Sequence, residues 1–587
     1  MYQAQQRQAT LFSILIGCVI VLATFYSQQS PGGEGLNLPY NNWVWIFASA
    51  TICAGVFQII LTKKIVLPKY WLAMATLPLG LIVSGLLIES TKPIEWLFRI
   101  GFVVAGYLFF ITLFQFKLSK RHIENILYTL CAASIVHSLI ALCQINGWNI
   151  AELLPQTLAN SPISIFQQVN VHASYLVTSF FIALYLATNP SIKNSTFVRK
   201  SILLLCVFFT TTVLLIISSR TTLVVFSISA PLMIFARFSQ FKKYRTLSIS
   251  LITCFVIGIV AGNYSSDGFD KYETKLDLQR SHARVSIYDL SWQIFQQKPL
   301  FGHGLGNFEK VFQEAKIDYP DSVKLGGQKY THPHNEFLFW MIEGGITSLA
   351  GIFVTLVVTL IALYKTGSRR GAAHIALLFP IGFHTQVELP FYLSSALWFL
   401  WLVILFDLHN HFKHTYPIVF SDALKRLISA STVLISTLLI GFFIHSLVSL
   451  TGLVNFIRSP SIGYSALATA NSNLYFQNIT QNITSTTLLY RDIALGQTKF
   501  AYAFINWAQR YLENTPTTNT FNDLALAYTY IGEHEKALTL ISKAAKMYPA
   551  TPAIQQRLKE ISENIEIKDF KQKIQIRAVR IQGQAKP

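Results

Sequence analysis

"FVRKSILLLCVFFTTTVLLIISSRTTLVVFSISAPLMIFARFSQFKKYR" fills residues 197–245. Two apolar runs, each long enough to cross a hydrocarbon core, are separated by Ser218, Ser219, Arg220, Thr221 and Thr222. Basic residues close both outer ends, with Arg199 and Lys200 on one side and Arg237, Lys242, Lys243 and Arg245 on the other. Inside a bilayer the backbone must satisfy its own N–H and C=O groups, so each run is predicted to be a helix. The pair then reads as a membrane hairpin with both feet on the same side. The same grammar extends along the chain to about residue 451. Thirteen apolar spans are centred near residues 19, 52, 80, 106, 134, 180, 209, 229, 255, 355, 379, 399 and 439. Composition agrees: 52% of the residues are hydrophobic and 13% are charged, about half the charged share of a soluble domain. The expected fold is all-α, a polytopic membrane helical bundle.

The loops carry an orientation signal. Lys and Arg cluster after the second, fourth, sixth, eighth, tenth and twelfth spans, and Arg7 precedes the first. The intervening loops "SQQSPGGEGLNLPYNN" (27–42) and "NGWNIAELLPQTLANSPISIFQQVN" (146–170) contain neither residue. Short basic loops stay cytoplasmic, so the N-terminus is expected inside and the C-terminus outside, in the periplasm of a Gram-negative inner membrane. The net charge of +19 is thereby accounted for as topology signal with contact to membrane lipid, and no nucleic-acid partner is expected. The first apolar run, "LFSILIGCVIVLATFY" (11–26), reads as a transmembrane helix rather than a cleaved leader. All six cysteines lie within apolar runs, which argues against a disulfide framework or a zinc site.

This topology divides the chain into transmembrane helices 1–9 (1–262), a periplasmic loop (263–335), transmembrane helices 10–13 (336–451) and a periplasmic helical domain (452–587). In the last region, "FNDLALAYTYIGEHEKALTLISKAAKMYP" (521–549) has the spacing of one tetratricopeptide repeat. With one clear copy, neighbouring helices must cover its apolar face. The domain is either a structural prop or a docking surface.

Four polar clusters fall on the external side. Arg220 occupies the tight turn of the opening hairpin; it could simply snorkel, but its Ser and Thr neighbours suggest a polar pocket. Gln168, Asn170 and His172 ("FQQVNVH") stand before the sixth span. Arg280 and Arg284 open a stretch with apolar Val285, Tyr288, Leu290, Trp292 and Ile294, which suits an amphipathic interfacial helix. Pro299 ends it, and "GHGLGNF" (302–308) makes a tight turn; without a preceding strand or a following GK[ST] it is not a nucleotide loop. Finally "THPHNEFLFWMIEGG" (331–345) places His332, His334, Asn335 and Glu336 at the entry of an inward-running helix. Thr331 and Pro333 suit the helix start. The positive end of its dipole favours anions and a neutral imidazole, the form a general base needs. Capping alone would explain Asn335 or Glu336, but not two histidines and a glutamate together. Glu343, inside the span, is expected to be paired.

Arginine forks suit diphosphate, and two of them can neutralise a leaving diphosphate as charge builds on it. No Asp/Glu cluster with metal-ligand spacing appears in the external loops, so a transfer without metal or cofactor is expected. These residues suggest glycosyl transfer from a polyprenyl-diphosphate donor.

Three motifs resemble the O-antigen ligase and polymerase superfamily, and most closely its protein-O-oligosaccharyltransferase branch. Arg220 in "SSRTTL" matches the family's SR turn. Arg284, Pro299 and "GHGLGNF" match its R-x14-P-x2-G-x-G pattern, with Tyr288 where tryptophan is usual. "HPHNEFLFWMIEGG" matches its HxHN-E signature, and "FQQVNVHASYL" resembles its QxN motif. The resemblance implies a GT-C-like bundle of about thirteen transmembrane helices with a large periplasmic loop. It implies an inverting oligosaccharyltransferase that moves a preassembled glycan from undecaprenyl diphosphate to Ser or Thr of an acceptor protein such as type IV pilin. His334, Arg284 and Arg220 would be catalytic; Arg280, His332, Asn335, Glu336, Gln168 and Asn170 would bind donor or acceptor. Two other readings remain: an O-antigen ligase or polymerase with a glycan acceptor, and a transporter or scaffold. The second lacks the internal hydropathy symmetry many transporters show.

Overall fold

The computed structural model describes residues 2–90, 92–148, 161–266, 270–320, 325, 328–459 and 463–563, without the side chains of 2, 265–266 and 270–282. A helix stands at every predicted span centre. Among the described residues, ten helices are long and apolar enough to cross a membrane. Trp71–Leu87 and Ser395–His409 are shorter apolar helices, and Ser368–His384 is also short at 17 residues. The protein is an all-α polytopic membrane protein. All six cysteines are free.

One feature departs from the helical expectation. Lys64–Pro68 and Lys413–Pro417 form a two-stranded antiparallel ribbon, with Lys64 opposite Pro417 and Pro68 opposite Lys413. Such a short pair leaves backbone groups open along its edges. The Gln115 side chain meets two of them, accepting from the Val66 N–H at 3.1 Å and donating to the Val66 carbonyl at 2.8 Å.

The chain forms two compact units, 1–78 with 101–273 and 351–447, and 79–100 with 274–350 and 448–587. In the first, Phe197–Ile217 packs along Arg245–Ser266. Gly258 and Gly262 form a GxxxG face there. A Cβ on Gly258 would lie 2.9 Å from the Phe208 carbonyl oxygen, and one on Gly262 2.8 Å from that of Thr212. Small residues at this spacing let two helices approach within a bilayer, where the hydrophobic effect does not drive them together. Thr210, Thr211 and Thr212 on the partner helix are buried and donate to carbonyls one turn back, so no hydroxyl is left unsatisfied at the contact.

In the second unit, Gln477–Leu495, Lys499–Asn514, Thr518–Tyr530, His534–Met547 and Pro552–Ser562 pack each on the next. Gly532, at φ +86°, turns the hairpin between the third and fourth. Phe521, Leu524, Ala525, Ala537, Ile541 and Ala544 are buried between them, at the positions where the sequence places the repeat's small and apolar residues. The flanking helices cover the hairpin's remaining apolar surface. Buried Asp492 accepts from the N–H groups of Phe500 and Ala501 at 2.5 and 3.1 Å, placing a carboxylate at the positive end of Lys499–Asn514.

Candidate active site

Helix Glu336–Lys365 is broken at Gly345, whose φ of +62° and ψ of −158° are not helical. A break inside an apolar helix frees backbone groups that must find partners. The glycine loop supplies them. The N–H groups of His303 and Gly304 donate to the carbonyls of Ile342 and Glu343 at 2.8 and 3.0 Å. In return, the N–H of Ile346 donates to the Pro299 carbonyl at 2.8 Å. Glycine is needed on both sides of this seam. A Cβ on Gly302 (φ +73°) would lie 2.5 Å from the Glu343 backbone, and one on Gly345 would lie 2.5 Å from the Leu300 backbone. His303 fixes the loop to the preceding helix, its Nε2–H donating to the Ile294 carbonyl at 2.9 Å. Burial holds that imidazole below its usual pKa range, so it stays neutral as a structural link.

Glu343 is fully buried and pairs with Arg99 at 2.5 Å, as the sequence leads one to expect of an intramembrane carboxylate. Its other oxygen accepts the N–H of Phe308, the first residue of helix Phe308–Ala315, at 3.1 Å. The Arg99 guanidinium also stands over the Phe339 ring, 4.7 Å from its centroid. Sequence reasoning missed Arg99 as a partner. Its signal was a lone cation in the apolar run "WLFRIGF" (96–102). Nearby, Glu309 pairs with Lys92 at 2.7 Å and with Lys329. Burial disfavours the Glu309 carboxylate, but the two lysines outweigh it and hold its pKa below the ordinary range.

The histidine segment sits just ahead of the broken helix. Asn335 is its cap, accepting the Leu338 N–H at 3.0 Å, so the helix begins at Glu336, three residues after Pro333. Glu336 is buried and accepts from the Trp340 indole at 3.1 Å. His334 has φ +53°, a left-handed conformation uncommon outside glycine. Its N–H donates to Nδ1 of His332 at 3.2 Å, and the two rings meet edge-on with centroids 4.6 Å apart. The Tyr288 hydroxyl donates to the His334 carbonyl at 3.2 Å. Tyr288 lies on helix Asp270–Gln297, one turn after Arg284 and hence on the same face. The buried stripe of that helix is Ile287, Leu290 and Ile294. Val285 and Trp292, expected with them, are 70% and 49% exposed, because a period of 3.6 residues carries them off the stripe. Arg280 falls on this helix, but its side chain is outside the described residues.

The remaining candidates belong to the other unit. Ser218 (φ +50°) and Ser219 make the whole connection between helices Phe197–Ile217 and Arg220–Lys243, and Arg220 is exposed at the start of the second. A small pocket here is lined by Asn170, Ser174, Ser219, Thr221, Thr222 and His384, among others. Ser174 Oγ and His384 Nδ1 are 2.7 Å apart. Gln168 precedes helix Val169–Ala187 and is half-buried. His172, grouped with these polar residues on sequence, is instead a core side chain, fully buried and bonded through Nδ1 to the Pro162 carbonyl at 2.7 Å. Asn170 and His172 are two residues apart, about half a helical turn, and so lie on opposite faces of the helix; the sequence did not show which face is the core. His384 is the residue that sequence reasoning left out; it showed only as a polar interruption of an apolar stretch.

Arg284, His332, His334, Asn335 and Glu336 thus share one unit, and Asn170 shares a pocket with the Arg220 turn in the other. Residues 205–353, which span the SR turn, the glycine loop and the histidine segment, match the family described as O-Antigen ligase. Residues 372–561 match virulence factor membrane-bound polymerase, C-terminal. These matches support the O-antigen ligase superfamily. With the apolar helices, they support a multi-pass membrane protein with a ligase- or polymerase-like role in glycan transfer. No curated protein matches the chain.

Proposed function

We propose that the protein transfers a preassembled glycan from undecaprenyl diphosphate to Ser or Thr hydroxyls of periplasmic proteins such as type IV pilin. The observation that carries a transfer site is the environment of His334: an imidazole in a left-handed backbone, braced by His332 and Tyr288, with Arg284 on the bracing helix's same face. In the reaction, the acceptor oxygen attacks the anomeric carbon and the bond from that carbon to the diphosphate oxygen breaks. The hydroxyl proton passes to the His334 imidazole. Arg284 and Arg220 bind the departing diphosphate and stabilise its growing charge. In-line displacement inverts the anomeric centre. Two guanidinium groups supply the charge stabilisation that a divalent cation would otherwise give, so the transfer is metal-independent. Arg280, His332, Gln168 and Asn170 serve donor or acceptor binding, and Asn335 and Glu336 hold the segment in place. The site and the C-terminal helical domain lie in the periplasm.

A second reading, transfer to a lipopolysaccharide core or a growing glycan, is favoured by one finding. The polymerase match extends through the C-terminal helices to residue 561, so those helices do not by themselves mark a protein acceptor. Intact-mass analysis of pilin from wild-type and His334→Ala cells, with lipopolysaccharide gels of the same strains, separates the readings. The protein-acceptor reading expects a glycan mass on pilin that the substitution removes. Unaltered pilin with changed lipopolysaccharide banding would establish the second reading, and no change in either would sink both.

A further inference from the structure

Lys316 follows helix Phe308–Ala315 and is fully buried. An ammonium taken out of water is unfavourable unless partners replace its hydration. Three groups do so here. Its Nζ donates to the Gln328 carbonyl at 3.2 Å. It also stands over two tyrosine rings, 5.6 Å from the centroid of Tyr330 and 5.0 Å from that of Tyr548, within range of cation–π attraction. Burial lowers its pKa to about 8, so it remains mostly charged at neutral pH.

The three partners come from two places that matter. Gln328 and Tyr330 belong to the segment that runs into the histidines, and the Tyr330 ring meets that of His334 edge-on at 6.4 Å. Tyr330 is itself fixed, its hydroxyl donating to the Leu325 carbonyl at 2.8 Å. Tyr548 closes helix His534–Met547 of the C-terminal domain, is fully buried, and donates to the Pro516 carbonyl at 2.5 Å. Ile317, the residue after the lysine, packs against the core of that domain. One side chain therefore touches both the histidine segment and the helical domain.

We propose that Lys316 is a positioning residue through which the C-terminal helical domain holds the Gln328–His334 segment in its working geometry. The domain is then part of the framework of the transfer site, whatever acceptor it also meets. The consequence for turnover rests on the glycan-transfer reading; the structural coupling does not.

The test uses the full chain in detergent with a lipid-linked glycan donor, comparing wild type, His334→Ala, Lys316→Met, Lys316→Arg and Tyr548→Leu. Hydrogen exchange of the backbone amides of residues 328–335 is measured on each. Lys316→Met and Tyr548→Leu are expected to lower kcat by about ten-fold, with donor KM within about two-fold of wild type. They are also expected to speed exchange across 328–335, and Lys316→Arg to recover part of both. Wild-type exchange in Tyr548→Leu would overturn the proposal, and so would a Lys316→Met loss confined to KM. If Lys316→Met does not fold, Tyr548→Leu decides alone. Failure of the transfer reading is seen separately, as an inactive wild type or an active His334→Ala protein, while the exchange data still judge the coupling.

Discussion

His334 pays a conformational cost for its backbone, which has φ +53°. A left-handed backbone costs a non-glycine residue roughly 1–2 kcal/mol, and it persists here because its neighbours over-determine it. His332 accepts the His334 N–H, and the Tyr288 hydroxyl donates to its carbonyl. This gives a physical meaning to the departure noted in the family pattern, where tryptophan is usual at the position of Tyr288. Phenol O–H and indole N–H are both donors on a large flat ring, so either can hold the same carbonyl. Tyr288→Phe removes the donor and keeps the ring. A net hydrogen bond is worth about 1 kcal/mol, so kcat should fall about five-fold, while Tyr288→Trp stays closer to wild type. Steady-state kinetics at saturating donor reads the difference. Equal turnover in Tyr288→Phe and wild type would remove the tyrosine from any role in holding His334. The candidacy of His334 was legible in the sequence as a histidine at a helix entry. Its left-handed backbone and its brace were not, because residues 288 and 334 meet only through the tertiary fold.

At the scale of elements, the decisive feature is an exchange of hydrogen bonds between a broken helix and a glycine loop. The sequence exposed one side of it. "GHGLGNF" reads as a tight turn, and Gly302, Gly304 and Gly306 all have positive φ. The other side stayed hidden, since the run from Phe337 to Tyr364, apart from Glu343, stays apolar on both sides of Gly345 and reads as one helix. Only the backbone of the loop makes the break tolerable. Gly345→Ala tests this seam directly. Its φ and ψ lie in a region essentially restricted to glycine, and its Cβ would strike the Leu300 backbone at 2.5 Å. A loss of about 2–4 kcal/mol in stability is expected from strain and clash together, with transfer activity lost. Gly441→Ala is the matched control, in a helix where an added Cβ meets nothing within 4 Å; it should be neutral or slightly stabilising, since alanine is the better helix former. Thermal unfolding of both purified variants measures the contrast, and an unshifted midpoint in Gly345→Ala would mean the loop and helix yield easily.

For the whole molecule, hydropathy revealed where the helices are, because the bilayer leaves an apolar segment little other choice. It did not reveal which helices meet. Arg99 and Glu343 find each other across 244 residues, and the ribbon of Lys64–Pro68 with Lys413–Pro417 joins loops that nothing in the sequence pairs. That ribbon nevertheless bears on orientation. It requires the connections after the second and twelfth spans to share a side, as alternation of the basic loops expects, and both are rich in lysine. If short basic loops are retained in the cytoplasm, Val419 beside the ribbon faces inward and the hairpin turn at Glu533 faces outward. Both positions are open to solvent, Val419 at 95% exposure and Glu533 with 39% of its side chain exposed. The six native cysteines all lie within apolar helices and can be replaced by alanine or serine to clear the background. A membrane-impermeant maleimide should then label Glu533→Cys in intact cells and Val419→Cys only after the inner membrane is opened. The reverse pattern would put His334 and Arg284 in the cytoplasm, where periplasmic acceptors are out of reach, and the proposed transfer to pilin would fall with it.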